Sequence, residues 1–262
     1  MNKRSISRYL KNIHRVGEIL TCMRMTPQWL RLTLAYLGLK SLNFPFVFKT
    51  RKGQKIHLNT NHDLITIWII FFRGEYKVPS HQKVIVDAGA NIGTFSIYAS
   101  LFQPKKIIAL EPFPETFTAL QKNIAANDLG DLIEVQPLAL AKDSGTVLMD
   151  ISAGPSQSRG LVDTNSKNGT SVESLSLKDF FQKMSLEHVD FFKMDIEGSE
   201  HEVLKNTDDE TFKKINNLAL EYHPNQQKKD LFEKILSHGF EILSDFKISD
   251  NSGVAHFRKK RT

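Results

Sequence analysis

Two stretches of this chain concentrate residues whose types and spacing could do chemistry. The first is VIVDAGANIGTF, Val84–Phe95. It sets an acid, Asp87, then Gly89, Asn91 and Gly93, where an apolar strand pattern gives way to a helical one. The second is DFFKMDIEGSE, Asp190–Glu200, with Lys193, Asp195, Glu197 and Glu200 at the end of another apolar run. A little further on, Glu221-Tyr-His223 follows a third such run. A glycine-bearing turn between strand and helix is a place to hold a nucleotide-like ligand, because the backbone can bend sharply and approach it closely. Carboxylates beside an imidazole can take a proton from an acceptor group.

The glycine spacing narrows the ligand. A dinucleotide turn needs G-x-G-x-x-G, and a phosphate-wrapping loop needs a terminal Gly-Lys-Ser/Thr. Here Gly89 and Gly93 are separated by three residues and no such lysine follows. The next strand pattern ends Ala109-Leu-Glu-Pro-Phe113. Glu111, 24 residues after Asp87, is placed to accept both hydroxyls of a ribose. Acids at both strand ends suit an adenosyl ligand without a phosphate tail, which describes S-adenosylmethionine. An NAD-type oxidoreductase on the same sheet is the competing reading, and the missing second glycine counts against it.

At the other cluster, strand alternation places Lys193 and Asp195 on one side, joined by Glu197 if the chain stays extended. A lysine within an apolar strand is costly unless paired, so Lys193 is expected to meet Asp195 or Glu221. Asp195, Glu197, Glu200, Glu221 and His223 are candidates to deprotonate or position an acceptor. The narrower set of Asp195, Glu197, Glu221 and His223 could instead hold a divalent cation such as Mg²⁺ or Mn²⁺. Ser199 and Glu202 have the spacing of a capping box.

The elements that must position these residues alternate. Strands are expected at 83–88, 106–110, 133–140, 146–151, 189–194 and 218–222, and helices at 92–102, 114–127, 199–206 and 226–238. A hairpin over 240–246 and 254–257 closes the chain. That rhythm predicts an α/β fold with a mostly parallel sheet covered on both faces, binding ligands beyond the carboxyl ends of its strands. Before it come a hairpin at 46–58 and a helix at 63–72, and before those two helices at 6–20 and 27–39. The Ser/Gly/Asn-rich stretch 152–174 has no period and reads as a loop.

The net charge of +6 is uneven: residues 1–52 carry eleven Lys/Arg against one acid, Glu18, leaving −4 for the remainder. A basic helical extension, 1–45, is therefore set apart from a body at 46–262, itself a lead-in (46–80) and a core (81–262). Such a segment suits peripheral contact with anionic lipid or an acidic polymer. No nucleic-acid motif or aromatic platform accompanies the charge, so nucleic acid is not an expected partner. The one cysteine, Cys22, excludes an intrachain disulfide framework, and no secretory leader is recognised. A cytoplasmic protein, peripheral at the inner membrane face, is the expectation; oligomeric state is left open.

Val84–Phe95, the strand end Ile107–Phe113, Leu120–Asn127, the Lys-x-Asp-x-Glu-Gly-x-Glu of Lys193–Glu200 and the Glu-x-His of Glu221–His223 together resemble the FkbM family of S-adenosylmethionine-dependent methyltransferases. Asp63 and Phe71–Tyr76 resemble its lead-in. The resemblance covers about 46–225. It implies a Rossmann-like seven-stranded class I methyltransferase sheet whose last strand is antiparallel. It implies that Asp87, Gly89, Asn91 and Gly93 line the methionine side of the cofactor, that Glu111 takes the ribose, and that Phe113 lies against the adenine. Asp195, helped by Glu197 or His223, would then serve a hydroxyl on a sugar, glycolipid or related metabolite. A non-catalytic docking protein on the same fold is the alternative that intact Asp87, Glu111 and Asp195 oppose.

Overall fold

The computed structural model describes residues 13–150, 161–162, 169–224 and 228–260. The chain forms two compact units, Met1–Glu75 and Tyr76–Thr262.

In the first unit, α1 (Ile13–Met25) and α2 (Trp29–Tyr36) precede the antiparallel hairpin β1 (Phe46–Lys49) and β2 (Lys55–Leu58). Helix α1 runs past the expected end at Leu20 to Met25; residues 6–12 lie outside the described part. Helix and hairpin are stitched together: Thr26 Oγ1 donates to the Lys49 carbonyl at 2.7 Å, and Gln28 Nε2 to that of Val47 at 2.9 Å. These bonds tie the hairpin to the basic helices within one compact unit. Helix α3 (Asn61–Ile67) opens on a capping box, Thr60 with Asp63, then widens into a π-helical turn at Trp68–Arg73. Trp68 stacks on Tyr36 at 4.0 Å and donates Nε1 to the buried Glu18 carboxylate at 2.6 Å.

The second unit is built on β3 (Val84–Ala88), α4 (Thr94–Ser100), β4 (Lys106–Leu110), α5 (Pro114–Ala125) and β5 (Ile133–Gln136). After these come β6 (Ala139–Leu140), β7 (Gly145–Asp150), β8 (Leu161–Val162), β9 (Gly169–Leu175), α6 (Leu177–Lys183), β10 (Val189–Met194), α7 (Glu200–Lys205), α8 (Asp209–Lys213) and β11 (Ile215–Tyr222). Helix α9 (Lys228–Ser237) and the hairpin β12 (Phe240–Ser249) with β13 (Ser252–Lys259) complete it. The main sheet has seven strands in the order β12-β13-β11-β10-β3-β4-β5. Strands β3, β4, β5, β10 and β11 pair in parallel, whereas β13 runs antiparallel to both its neighbours. Parallel strands buried on both faces read as near-continuous apolar runs, and β3, β4 and β10 supply them around the buried Asp87 and Lys193.

Two expectations fail for local reasons. The strand expected over 133–140 stops at Gln136, just before Pro137, on the edge strand of the sheet. Ala139–Leu140 joins a separate four-stranded sheet, β6-β9-β7-β8. The supposed loop 152–174 ends in β9, which pairs antiparallel with β7. Its inward positions alternate Val172 and Ser174, and the polar Ser174 hid the period-2 signal.

Candidate active site

Register brings the two chemical stretches together. Strands β3 and β10 pair so that Lys193 lies directly across from Asp87. Lys193 is 2% exposed and Asp87 not at all. The ammonium lies 3.0 Å from Asp87 Oδ1 and 3.4 Å from Asp195 Oδ2. It also donates to the carbonyls of Gly89 at 3.0 Å and Ala88 at 3.4 Å. Burial alone would strip its proton, but the Asp87 and Asp195 carboxylates outweigh this and hold it above the usual lysine value. The second oxygen of Asp87 accepts from Ser96 Oγ at 2.6 Å. Of the expected partners of Lys193, Asp195 is met; Glu221 is not in direct contact, and Asp87 takes the closest place.

The Asp87–Gly93 turn is closed on itself. Gly89 N and Ala90 N donate to the Leu110 carbonyl at 3.0 and 2.8 Å, and Gly93 N to that of Ala90 at 2.9 Å. Asn91 N donates to Glu111 Oε2 at 2.9 Å, and Ile92 N to the Asn91 side chain at 2.7 Å. Every N–H from 89 to 93 thus has a protein partner. Gly89 (φ +75°) is required by the fold itself: a Cβ there would stand 1.7 Å from the Asp195 carbonyl oxygen. At Gly93 (φ +89°) a Cβ would meet Leu120 Cδ1 at 2.7 Å. Asn91 adopts φ +50°, which asparagine tolerates. Asn123 ties α5 to the turn through the Ile92 carbonyl at 2.9 Å.

Glu111 ends β4. Besides Asn91 N, it accepts from Phe113 N at 3.0 Å through its other oxygen. Burial pushes its carboxyl up to about 7, against the pull of those two N–H groups and of Lys193. The Phe113 ring is buried at the start of α5.

Beyond β10 the chain does not stay extended. It turns at Ile196–Gly198, with Glu197 at φ +54° and Gly198 at φ +100°. The turn is closed by Glu200, whose oxygens accept from Ile196 N at 2.7 Å and Gly198 N at 3.0 Å. The Ser199–Glu202 capping box does not form; Ser199 makes no capping bond. Burial, with Asp195 close by, pushes Glu197 up to about 8. Glu221, near the end of β11, is raised by burial and by the Asp195 carboxylate. Tyr76 spans this pair, its hydroxyl 3.1 Å from Glu221 Oε2 and 3.4 Å from Asp195 Oδ2. His223 Nε2 stands 3.6 Å from Glu200 Oε1. Burial opposes its proton, but Glu200 first, then Glu221 and Asp195, lift it to about 9.

Asp87, Asp195, Glu197, His223 and Glu221 are therefore gathered at the carboxyl ends of β3, β10 and β11, with Glu111 at the neighbouring end of β4. The sequence pattern gave Tyr76 and Ser96 no role, and Glu200, a candidate base, spends both carboxylate oxygens on closing the turn after β10. Only Ser96, a polar residue on the buried face of α4, leaves a trace in the pattern. Asp195, Glu200 and His223 each offer a ligand atom within 4.8 Å of the others, a set that overlaps the expected cation ligands only at Asp195 and His223.

The donor set fits a nucleoside ligand that brings a positive charge and no phosphate. Glu111 keeps a lone pair on each oxygen for hydroxyls, the turn has no spare N–H groups, and carboxyls outnumber Lys193 and His223 around the β10 end. This strand order, β5-β4-β3-β10-β11 flanked by the antiparallel hairpin of β13 and β12, with an acid at the ends of β3 and β4, is that of a Rossmann-like class I methyltransferase sheet. The family model of the methyltransferase FkbM domain matches residues 87–242, more than half of the chain. The chain belongs to that family and is a methyltransferase. It is 30% identical over 201 residues to methyltransferase sdnD of Sordaria araneosa, covering 64% of this chain and 77% of that one. With the hexuronic acid methyltransferase AglP of Haloferax volcanii it shares 27% identity over 179 residues, 65% of this chain and 72% of that protein. With the 31-O-demethyl-FK506 methyltransferase FkbM of Streptomyces tacrolimicus it shares 24% over 196 residues, 62% and 74%.

Proposed function

We propose that this methyltransferase moves a methyl group from S-adenosylmethionine to a hydroxyl of a sugar, glycolipid or related small metabolite. The observation that carries the reading is the pairing of a turn at 89–93 whose N–H groups are all engaged within the protein with Glu111, whose oxygens retain room for a ribose diol. The relatives named for a hexuronic acid and for a 31-O-demethyl substrate support a hydroxyl-bearing acceptor. Bound there, S-adenosylmethionine supplies a methyl carbon on a sulfonium, a donor that needs no further activation.

In this reading Glu111 holds the ribose. Gly89, Asn91, Gly93 and Phe113 shape the cleft. Asp87 acts through the Lys193 ammonium rather than by touching the ligand, since it has no exposed surface. Asp195 takes the proton of the acceptor hydroxyl as the oxygen–carbon bond forms. Glu197 and His223, lifted to about 8 and about 9, carry protons at neutral pH and orient the acceptor as donors. Asp195→Asn is expected to lower turnover by about 10²–10⁴-fold while leaving methyl-donor affinity in place. Release of labelled methyl to sugar-acid acceptors measures it, and undiminished turnover would remove Asp195 from the role of base.

The cluster of Asp195, Glu200 and His223 favours one further reading, a divalent cation that acidifies the acceptor. It requires a neutral His223, against the protonated imidazole that Glu200 stabilises. Calorimetric titration with Mn²⁺ separates the two. Binding that disappears in His223→Ala supports the cation, and no binding leaves the proton-transfer reading.

A further inference from the structure

We infer that the outer face of α1 docks the protein on an anionic lipid bilayer. The charge of the N-terminal segment alone names no surface; the structure supplies one. Val16, Leu20 and Met23 follow one another at helical spacing on α1 and are 55%, 47% and 38% exposed. The opposite face is fixed inward: Cys22 is fully buried, and Glu18 is held by Trp68 Nε1 at 2.6 Å and by Arg73 at 3.5 Å. The helix cannot roll its apolar stripe into its own unit without breaking that buried contact. Such a stripe on a short helix spans nothing, and no helix among the described residues is long and apolar enough to cross a membrane.

The surroundings are cationic. Arg24, one turn beyond Leu20, is exposed beside the stripe. Arg51 donates from Nε and Nη2 to the Met23 carbonyl, both at 3.2 Å, which places a second guanidinium at the stripe's end, with exposed Lys52 next in the chain. From residue 13 to 41 the only acid is Glu18, turned inward. An apolar ridge flanked by arginines and free of exposed acids is complementary to a surface that is both apolar and negative. An acidic polymer offers only charge, and a second copy of this segment would bring like charge.

The test is co-sedimentation of the full chain with vesicles. Phosphatidylglycerol-containing vesicles should bind it about tenfold better than phosphatidylcholine alone, and less as salt rises. The double variant Leu20→Asp/Met23→Asp should lose about tenfold in partitioning, as should Arg24→Glu/Lys52→Glu. Ile242→Asp, an exposed apolar residue on β12, should change nothing. Circular dichroism checks folding, and Leu20→Gln/Met23→Gln replaces the acidic pair if that pair unfolds. Equal binding to both vesicle types, or an unchanged partition in the α1 variants, overturns the proposal. So does a wild-type dimer that Leu20→Asp/Met23→Asp converts to monomer.

Discussion

Lys193 joins both chemical stretches of the chain through one ammonium. Replacing it by methionine keeps the volume and leaves the Asp87 carboxylate buried without its cation. Lys193→Met is therefore expected to cost about 3–5 kcal/mol in urea unfolding, and a loss below ~1 kcal/mol would contradict the pairing. Tyr76→Phe removes a hydroxyl shared by Asp195 and Glu221. It should cost about 1 kcal/mol and leave methyl-donor affinity unchanged; a weakened affinity in calorimetry would place Tyr76 at the donor instead. A partner for Lys193 could be foreseen, because a cation in an apolar strand cannot stay unpaired. That the partner is Asp87 could not, because the β3–β10 register links residues over a hundred positions apart and leaves no local pattern. Tyr76 was hidden in the same way, since its role depends on two carboxyls remote in sequence.

At the scale of elements, the strand-to-helix turns decide the site. The alternation of apolar runs and helical periods made the parallel sheet and its closing hairpin legible. It missed the turn after β10, where an extended reading ignored Gly198 and the return of Glu200 onto the backbone. The glycines of the first turn were legible as necessary, but for a partly different reason. Gly89 clears the Asp195 carbonyl of the neighbouring segment, so the two turns are locked against each other. Gly89→Ala should destabilise by more than the ~1 kcal/mol scale of an ordinary glycine replacement, and should perturb β10 as well as β3 in hydrogen exchange. A variant as stable as the parent would show that the turns are independent.

For the molecule as a whole, several groups at the sheet's carboxyl end hold protons more tightly than they would in the unfolded chain. Among them are Glu111 at about 7, Glu197 at about 8 and His223 at about 9. Each contributes stability below its ordinary value that is lost as pH rises through its folded value. Between pH 4.5 and 9 these groups therefore make the protein less stable as pH rises. Urea midpoints should fall from pH 6 to pH 9, with the lower part of that slope flattened in Glu111→Gln; a rising midpoint would contradict these environments. The uneven charge was plain in the sequence, but the apolar face of α1 was not, because which side of a helix is buried depends on partners such as Trp68 that periodicity does not name. The central claim is that the ends of β3 and β4 hold the methyl donor, and calorimetry of S-adenosylmethionine with the wild type and with Glu111→Gln tests it most directly. The wild type should bind, and a folded Glu111→Gln should lose about tenfold or more, as expected for one charged hydrogen bond. Equal affinity in the two proteins would contradict it.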